Sequence, residues 1–329
     1  MMDAKRPGEG LRLIDVHHHC VLPEYERALV RSGAADPSRP LRKNSDPAQA
    51  IEAMAGFGIS GAVVNPLSVA GVHHGDDANA RYLCETTNEG LARFVQGAPG
   101  KLGFFAPLPF PDIDGSLRQL AYSLDMLKAD GVILMTNQNG VYLGDPRGDA
   151  LYAELDRRKC AVFVHPARPA FIDDLQLKLW AAIVEYPFET TRIAANLIYN
   201  EVMKKYPNIR WILAHAGGAV PYLSLRLRLM EEQDTQSPAF STRVPEGTSP
   251  YVGQFYFDTA ISGSRAAMAA LTRITPPSHI MFGSDWPYID RSYVDDQIAD
   301  MRSMPELGGG VFQAVERESA LALFPRFVE

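Results

Sequence analysis

The sequence predicts an α/β protein of the (β/α)8, or TIM, barrel class, on three observations. Short apolar runs recur eight times along the 329 residues, each separated from the next by a stretch of helical character. Alternating β and α units favour a parallel sheet, and eight of them favour closing it into a barrel over an open doubly wound sheet. No glycine-rich phosphate loop follows the first run, which weakens the open-sheet alternative. Residues 1–329 are expected to form one barrel domain.

The first strand is expected from Leu11 to Val16 and runs into His17-His18-His19. Val21 to Asn44 is rich in Pro, Arg and Ser and reads as a long loop or lid inserted after that strand. Asp46 then caps a helix that ends at Phe57, before Gly58. The second strand covers Gly61 to Asn65, a helix spans Ala78 to Phe94, and Leu102 to Ala106 is the third strand. Ser116 to Lys128 is a helix, Gly131 to Met135 the fourth strand, and Leu151 to Arg158 a further helix. The fifth strand, Ala161 to Val164, leads into His165-Pro166. After a helix over Ala194 to Tyr206, the sixth, Trp211 to Ala214, leads into His215-Ala216-Gly217-Gly218. Phe255 to Asp258 is the seventh. The eighth, Ile280 to Phe282, leads into Gly283-Ser284-Asp285-Trp286-Pro287, and a last helix covers Gly310 to Leu323.

Composition narrows the class. With 46% hydrophobic and 22% charged residues the chain has ample material for a soluble core. A formal charge of −7 argues against a nucleic-acid or anionic-membrane partner, either of which favours a clustered basic surface. There is no uninterrupted apolar run of 18 residues, and Met1 to Gly10 lacks the apolar core of a signal peptide. Cys20, Cys84 and Cys160 are odd in number without CxxC spacing, which fits reduced thiols in a cytoplasmic protein.

The chemistry lies at the strand ends. In a barrel of this kind the active site is built at the carboxyl ends of the strands, and there stand His17, His19, His165, His215 and Asp285. Side chains alternate along a strand, so His17 and His19 share a face, roughly 7 Å apart, and His18 faces away. Three imidazoles and a carboxylate suit zinc or a similar divalent ion with space left for substrate. Any one strand-end histidine alone is more often a cap or core group; the five residues together point to a metal site. Asp15 reads as a hydrogen-bonding partner of the strand. His73 and His74 read as a solvated loop, and His279 as the lead-in to the last strand.

These motifs resemble the amidohydrolase superfamily. Ile14 to His19, Val164-His165-Pro166, His215 to Gly218 and Gly283 to Pro287 are most similar to its metal-dependent, non-oxidative decarboxylase branch, which holds aminocarboxymuconate semialdehyde and γ-resorcylate decarboxylases. Leu127 to Val132, Tyr142-Leu143-Gly144, Phe188-Glu189-Thr190-Thr191-Arg192 and Phe255 to Ala260 look closest to the 6-methylsalicylate decarboxylase type. The resemblance implies His17, His19, His165 and Asp285 as ligands of one metal, zinc first and manganese second. It makes His215 the catalytic histidine, with Asp285 sharing the proton transfer. Gly131 to Thr136 holds no lysine for a second metal, so the site is expected to be mononuclear. Arg226 matches an arginine that reaches the neighbouring subunit's site, implying a homodimer; its other reading is a solvated helix residue. Trp286 and Phe188 are candidate walls for a flat aromatic ring. Two departures stand out: the γ-resorcylate type carries glutamate where His17 stands, and Ser319-Ala320 replaces a frequent Asn-Ala pair.

The implied reaction is loss of carbon dioxide from a small salicylate-type acid. The same ligand set would also serve a lactone or ester hydrolase, and a third reading is an inactive barrel that only binds or assembles.

Overall fold

The computed structural model describes residues 7–35, 45–66, 71–169, 171–175, 178–232, 243–244 and 246–328. Ten strands are present among them: β1 (Leu13–His19), β2 (Ile59–Asn65), β3 (Leu102–Pro107), β4 (Gly131–Met135), β5 (Asn137–Gln138), β6 (Val141–Tyr142), β7 (Ala161–His165), β8 (Arg210–Leu213), β9 (Tyr256–Asp258) and β10 (Ile280–Met281). Eight form one sheet in the order β1-β2-β3-β4-β7-β8-β9-β10, each neighbouring pair parallel. Main-chain bonds close it into a barrel: the Val16 amide donates to Phe282 O at 3.0 Å and the His19 amide to Trp286 O at 2.7 Å.

β1 runs three residues further than its apolar run, to His19. Its register with β2 shifts by one residue between Asp15 and His18, after which pairing resumes (His18 opposite Val64, His19 opposite Asn65), and His18 meets Trp286 on the other side. Polar side chains did not end the strand because main-chain pairing on both sides continued. β5 and β6 form a hairpin absent from the expected elements, although Asn139-Gly140 is a two-residue turn signal; both residues are left-handed, at φ 51° and 72°.

Helices α1 (Pro23–Arg31), α2 (Pro47–Phe57), α3 (Asp77–Gln96), α4 (Ile113–Ala121), α5 (Asp149–Arg157), α6 (Ala181–Tyr199), α7 (Val202–Lys205) and α8 (Val220–Glu232) follow in order, with further helices beyond, among them Arg291–Ser303. α2 matches its sequence signals: Asp46 accepts from the Ala48 amide and Gly58 ends the helix at φ 75°. The expected lid after β1 is in part helical, since α1 buries Tyr25, Ala28 and Leu29; its remainder, 36–44, lies outside the described residues. α6 starts thirteen residues before the expected Ala194 and runs through Pro187, which sits in its second turn and forfeits a single intrahelical bond. No helix among the described residues is long and apolar enough to cross a membrane.

Phe105 and Phe163 stack inside the barrel at 5.2 Å, and His17 meets Phe163 edge-on at 5.0 Å. These rings come from the first, third and fifth barrel strands, the alternate-strand layering expected of a filled barrel. The histidine cluster therefore sits on an aromatic floor, and all three rings are buried.

Candidate metal centre

The strand-end residues meet at the barrel mouth. His17 Nε2 lies 3.2 Å from His19 Nε2 and 3.3 Å from Asp285 Oδ1, and His19 Nε2 lies 2.8 Å from the same oxygen. The donor nitrogens of His17, His19 and His165 lie within 4.8 Å of one another, as do the donor atoms of His17, His215 and Asp285. His215 Nε2 is 3.8 Å from Asp285 Oδ2.

The outer nitrogens decide how the inner ones behave. His17 Nδ1 faces Asp258 Oδ2 at 2.7 Å, and His165 Nδ1 faces the Pro166 carbonyl at 3.0 Å. Both partners only accept, so each ring, when neutral, donates from Nδ1 and turns an Nε2 lone pair to the centre. Lone pairs and a carboxylate oxygen aimed at one point repel unless a cation shares it. Ligands about 2.1 Å from a common ion sit roughly 3 Å from each other, the spacing seen among His17, His19 and Asp285. The donor set fits a divalent ion.

Charge in the site points the same way. Burial opposes a charged His17, but Asp258 and Asp285 outweigh it and raise the group to about 10. Burial pushes His19 down against the pull of Asp285. His165 is held well below its ordinary value by burial and by the surrounding imidazoles. Burial would lift Asp285, yet His17 and the other histidines hold it well below the usual carboxylate range. A centre with these preferences favours one positive charge among neutral imidazoles and an ionised carboxylate.

Local backbone geometry presents the groups. His215 and Ala216 are left-handed, at φ 56° and 53°, and lead into Gly217 and Gly218. Gly218 must be glycine: a Cβ there would lie 2.0 Å from Pro187 O on α6. Asp285 is also left-handed at φ 58°, a conformation that costs of order 1 kcal/mol for a non-glycine residue. Its main-chain N–H donates a hydrogen bond to His17 O at 2.8 Å, which holds it over the cluster.

The outer support was only partly foreseen. Asp15 accepts from the His17 and Ser284 amides and from His18 Nδ1, the structural role expected of it, and His18 turns to Asp15, away from the cluster. Asp258 was missed, although a carboxylate closing the seventh strand was visible in the sequence. It is fully buried and accepts from His17, from the His215 amide at 3.0 Å and from the Ala260 amide at 2.9 Å. Tyr288, whose ring stands edge-on to His19 at 4.6 Å, was also missed; nothing in its local sequence marked it.

The remaining candidates fall at different distances from this centre. The Trp286 indole packs edge-on against Phe57, at the end of α2, 5.3 Å away. Phe188 is 46% exposed on α6, and Arg226 is exposed on α8. The solvated-loop expectation fails for His73, which is buried between Asn139 Nδ2 at 2.7 Å and Asp77 Oδ1 at 2.9 Å. Two polar partners hold its ring, so it forms part of a clasp between the loop after β2 and the β5–β6 turn. His279 stacks on Tyr256, outside the cluster.

A parallel barrel with imidazoles and a carboxylate converging at its mouth defines the class. The chain belongs to the amidohydrolase family, whose model matches residues 14–326. The 6-methylsalicylic acid decarboxylase of Aspergillus aculeatus is 34% identical over 327 residues, covering 95% of this chain and 96% of the relative. A crystal structure named amidohydrolase II superposes with a TM-score of 0.85 at 26% identity, covering 94% of this chain and 99% of its own. A dihydroxybenzoic acid decarboxylase from Polaromonas, solved with bound manganese and 2-nitroresorcinol, shares the fold at 19% identity and a TM-score of 0.81, covering 96% of this chain and 97% of its own.

Proposed function

We propose that this chain, acting as one barrel domain, is a metal-dependent, non-oxidative decarboxylase of a salicylate-type acid such as 6-methylsalicylate. The carrying observation is that His17 clusters with His19 and His165 on one side and with His215 and Asp285 on the other, in a chain 34% identical to a 6-methylsalicylic acid decarboxylase. His17, His19, His165 and Asp285 would hold one divalent ion, zinc in first place and manganese as the alternative. When bound, the ion supplies a template and charge stabilisation for a substrate carboxylate and its neighbouring hydroxyl.

The chain's own groups handle the proton. His215 and Asp285, 3.8 Å apart, form the pair that stores it and delivers it to the ring carbon bearing the carboxylate. Protonation there interrupts aromaticity. The carbon–carboxylate bond then breaks, its electron pair returns to the ring, and carbon dioxide and a phenol leave. The closed aromatic floor of Phe105 and Phe163 keeps water from entering beneath the cluster. Exposed Arg226 on α8 would serve the mouth of a second copy in a homodimer, while Phe188 and Trp286 are assigned to the substrate's surroundings.

The test is incubation of metal-loaded protein with salicylate-type acids. Phenol and carbon dioxide must appear in equal amounts and vanish with a chelator. Turnover of lactones or esters without carbon dioxide would replace this reading with the hydrolase.

A further inference from the structure

Two of the sequence motifs that single out this branch play no part in the metal cluster: Tyr142-Leu143-Gly144 and Phe188 to Arg192. They meet at Glu189. This side chain is fully buried on α6, and its carboxylate takes four donors, two on each oxygen. Thr136 Oγ1 (3.1 Å) and Asn137 Nδ2 (2.7 Å) donate to Oε2; Tyr142 Oη (3.0 Å) and Arg192 donate to Oε1. A carboxylate has about four acceptor positions, so this one is saturated.

Thr136 leads from this hub to the metal cluster. It directly follows β4, its amide donates to the His165 carbonyl at 2.9 Å, and its Oγ1 accepts from the Ala167 amide at 2.9 Å. The turn that carries His165 is thus gripped on both sides by one threonine, and the threonine hydroxyl is aimed by Glu189. Because Oγ1 gives its single hydrogen to Glu189, its lone pairs remain for Ala167. On its other side Glu189 holds Tyr142, and with it the β5–β6 hairpin whose Asn139 reaches His73.

We propose that Glu189 is a positioning residue. Acting through Thr136, it sets the His165-Pro166-Ala167 turn so that His165 presents Nε2 to the ion. The role rests on the metal-site reading above, but the contact with the turn does not. In Glu189→Gln the remaining oxygen stays with the charged Arg192 and Tyr142, so the amide NH2 faces the donors Thr136 and Asn137 and releases Thr136. Thr136→Val removes the hydroxyl at equal volume, and Thr136→Ser retains it.

Two measurements test this: divalent-ion affinity by chelator competition, with the visible spectrum of the cobalt-loaded protein, and amide hydrogen exchange over 163–169. Glu189→Gln and Thr136→Val should each weaken the ion by about 10-fold, the scale of an outer-shell partner's loss. Both should perturb the cobalt bands and speed exchange of the 163–169 segment selectively. Thr136→Ser should match the parent, and the double variant should be no worse than either single one. Unchanged affinity and exchange in the folded variants overturns the proposal. So does uniformly faster exchange along the chain, or a Thr136→Ser variant as impaired as Thr136→Val. A parent that takes up no ion overturns the metal reading and with it the role at His165; selective loosening of the segment in Glu189→Gln then leaves only the hold on the 165–167 turn standing.

Discussion

Replacing Asp258 by Asn probes the cluster through a group outside the proposed ligand set. Asp258 Oδ1 accepts two main-chain amides, and Oδ2 takes His17 Nδ1 at 2.7 Å. In Asp258→Asn the amide oxygen can keep the two amides, which leaves Nδ2 facing His17. Two donors then oppose each other, and the imidazole relieves this by moving its proton to Nε2, the atom needed as a ligand. The bond lost is a buried hydrogen bond to a charged group, worth about 1.5–3 kcal/mol. That corresponds to roughly 10–100-fold in metal affinity, the range found for partners of ligating histidines. Chelator competition at fixed pH measures it directly, with circular dichroism to establish that the variant is folded. Activity should return as metal is raised into excess. A folded Asp258→Asn protein that holds the ion within twofold of the parent would falsify the tautomer argument.

Three further outcomes follow from the same geometry. His215→Asn should lower kcat by about 10²–10⁴ while leaving metal stoichiometry unchanged, since it removes the proposed proton carrier and none of the four proposed ligands; loss of metal in that variant would instead make His215 a ligand. In the metal-free protein His17 is raised from 6.5 to about 10 and so carries a proton at neutral pH. An incoming ion must expel it, so affinity should fall about tenfold for each unit of pH below 10; calorimetry at pH 7.5 in buffers of different ionisation heat should find close to one proton released, and none released would refute the charge assignment. Phe163→Ala opens a void between Phe105 and His17 and should cost about 3–5 kcal/mol in urea unfolding; a loss below about 1 kcal/mol would mean the barrel floor is not close-packed.

Much of this protein was determined by local pattern. The apolar runs placed all eight barrel strands, the Asp46 and Gly58 signals bounded α2, and alternation along β1 put His17 and His19 on one face with His18 on the other. Each of these depends on residues a few positions apart, where strand and helix periods act. The sequence was less informative where main-chain context overrode composition: β1 continued through its histidines, α6 ran through Pro187, and part of the expected lid became α1. Tertiary structure alone decided which partners the outer nitrogens find. Asp258 lies 241 residues from His17, and Glu189 lies 53 from Thr136, yet barrel closure and the packing of α6 bring each pair within hydrogen-bond reach. A strand's period states which side chains face inward. Only the closed sheet, with its neighbours and register, determines what those side chains face.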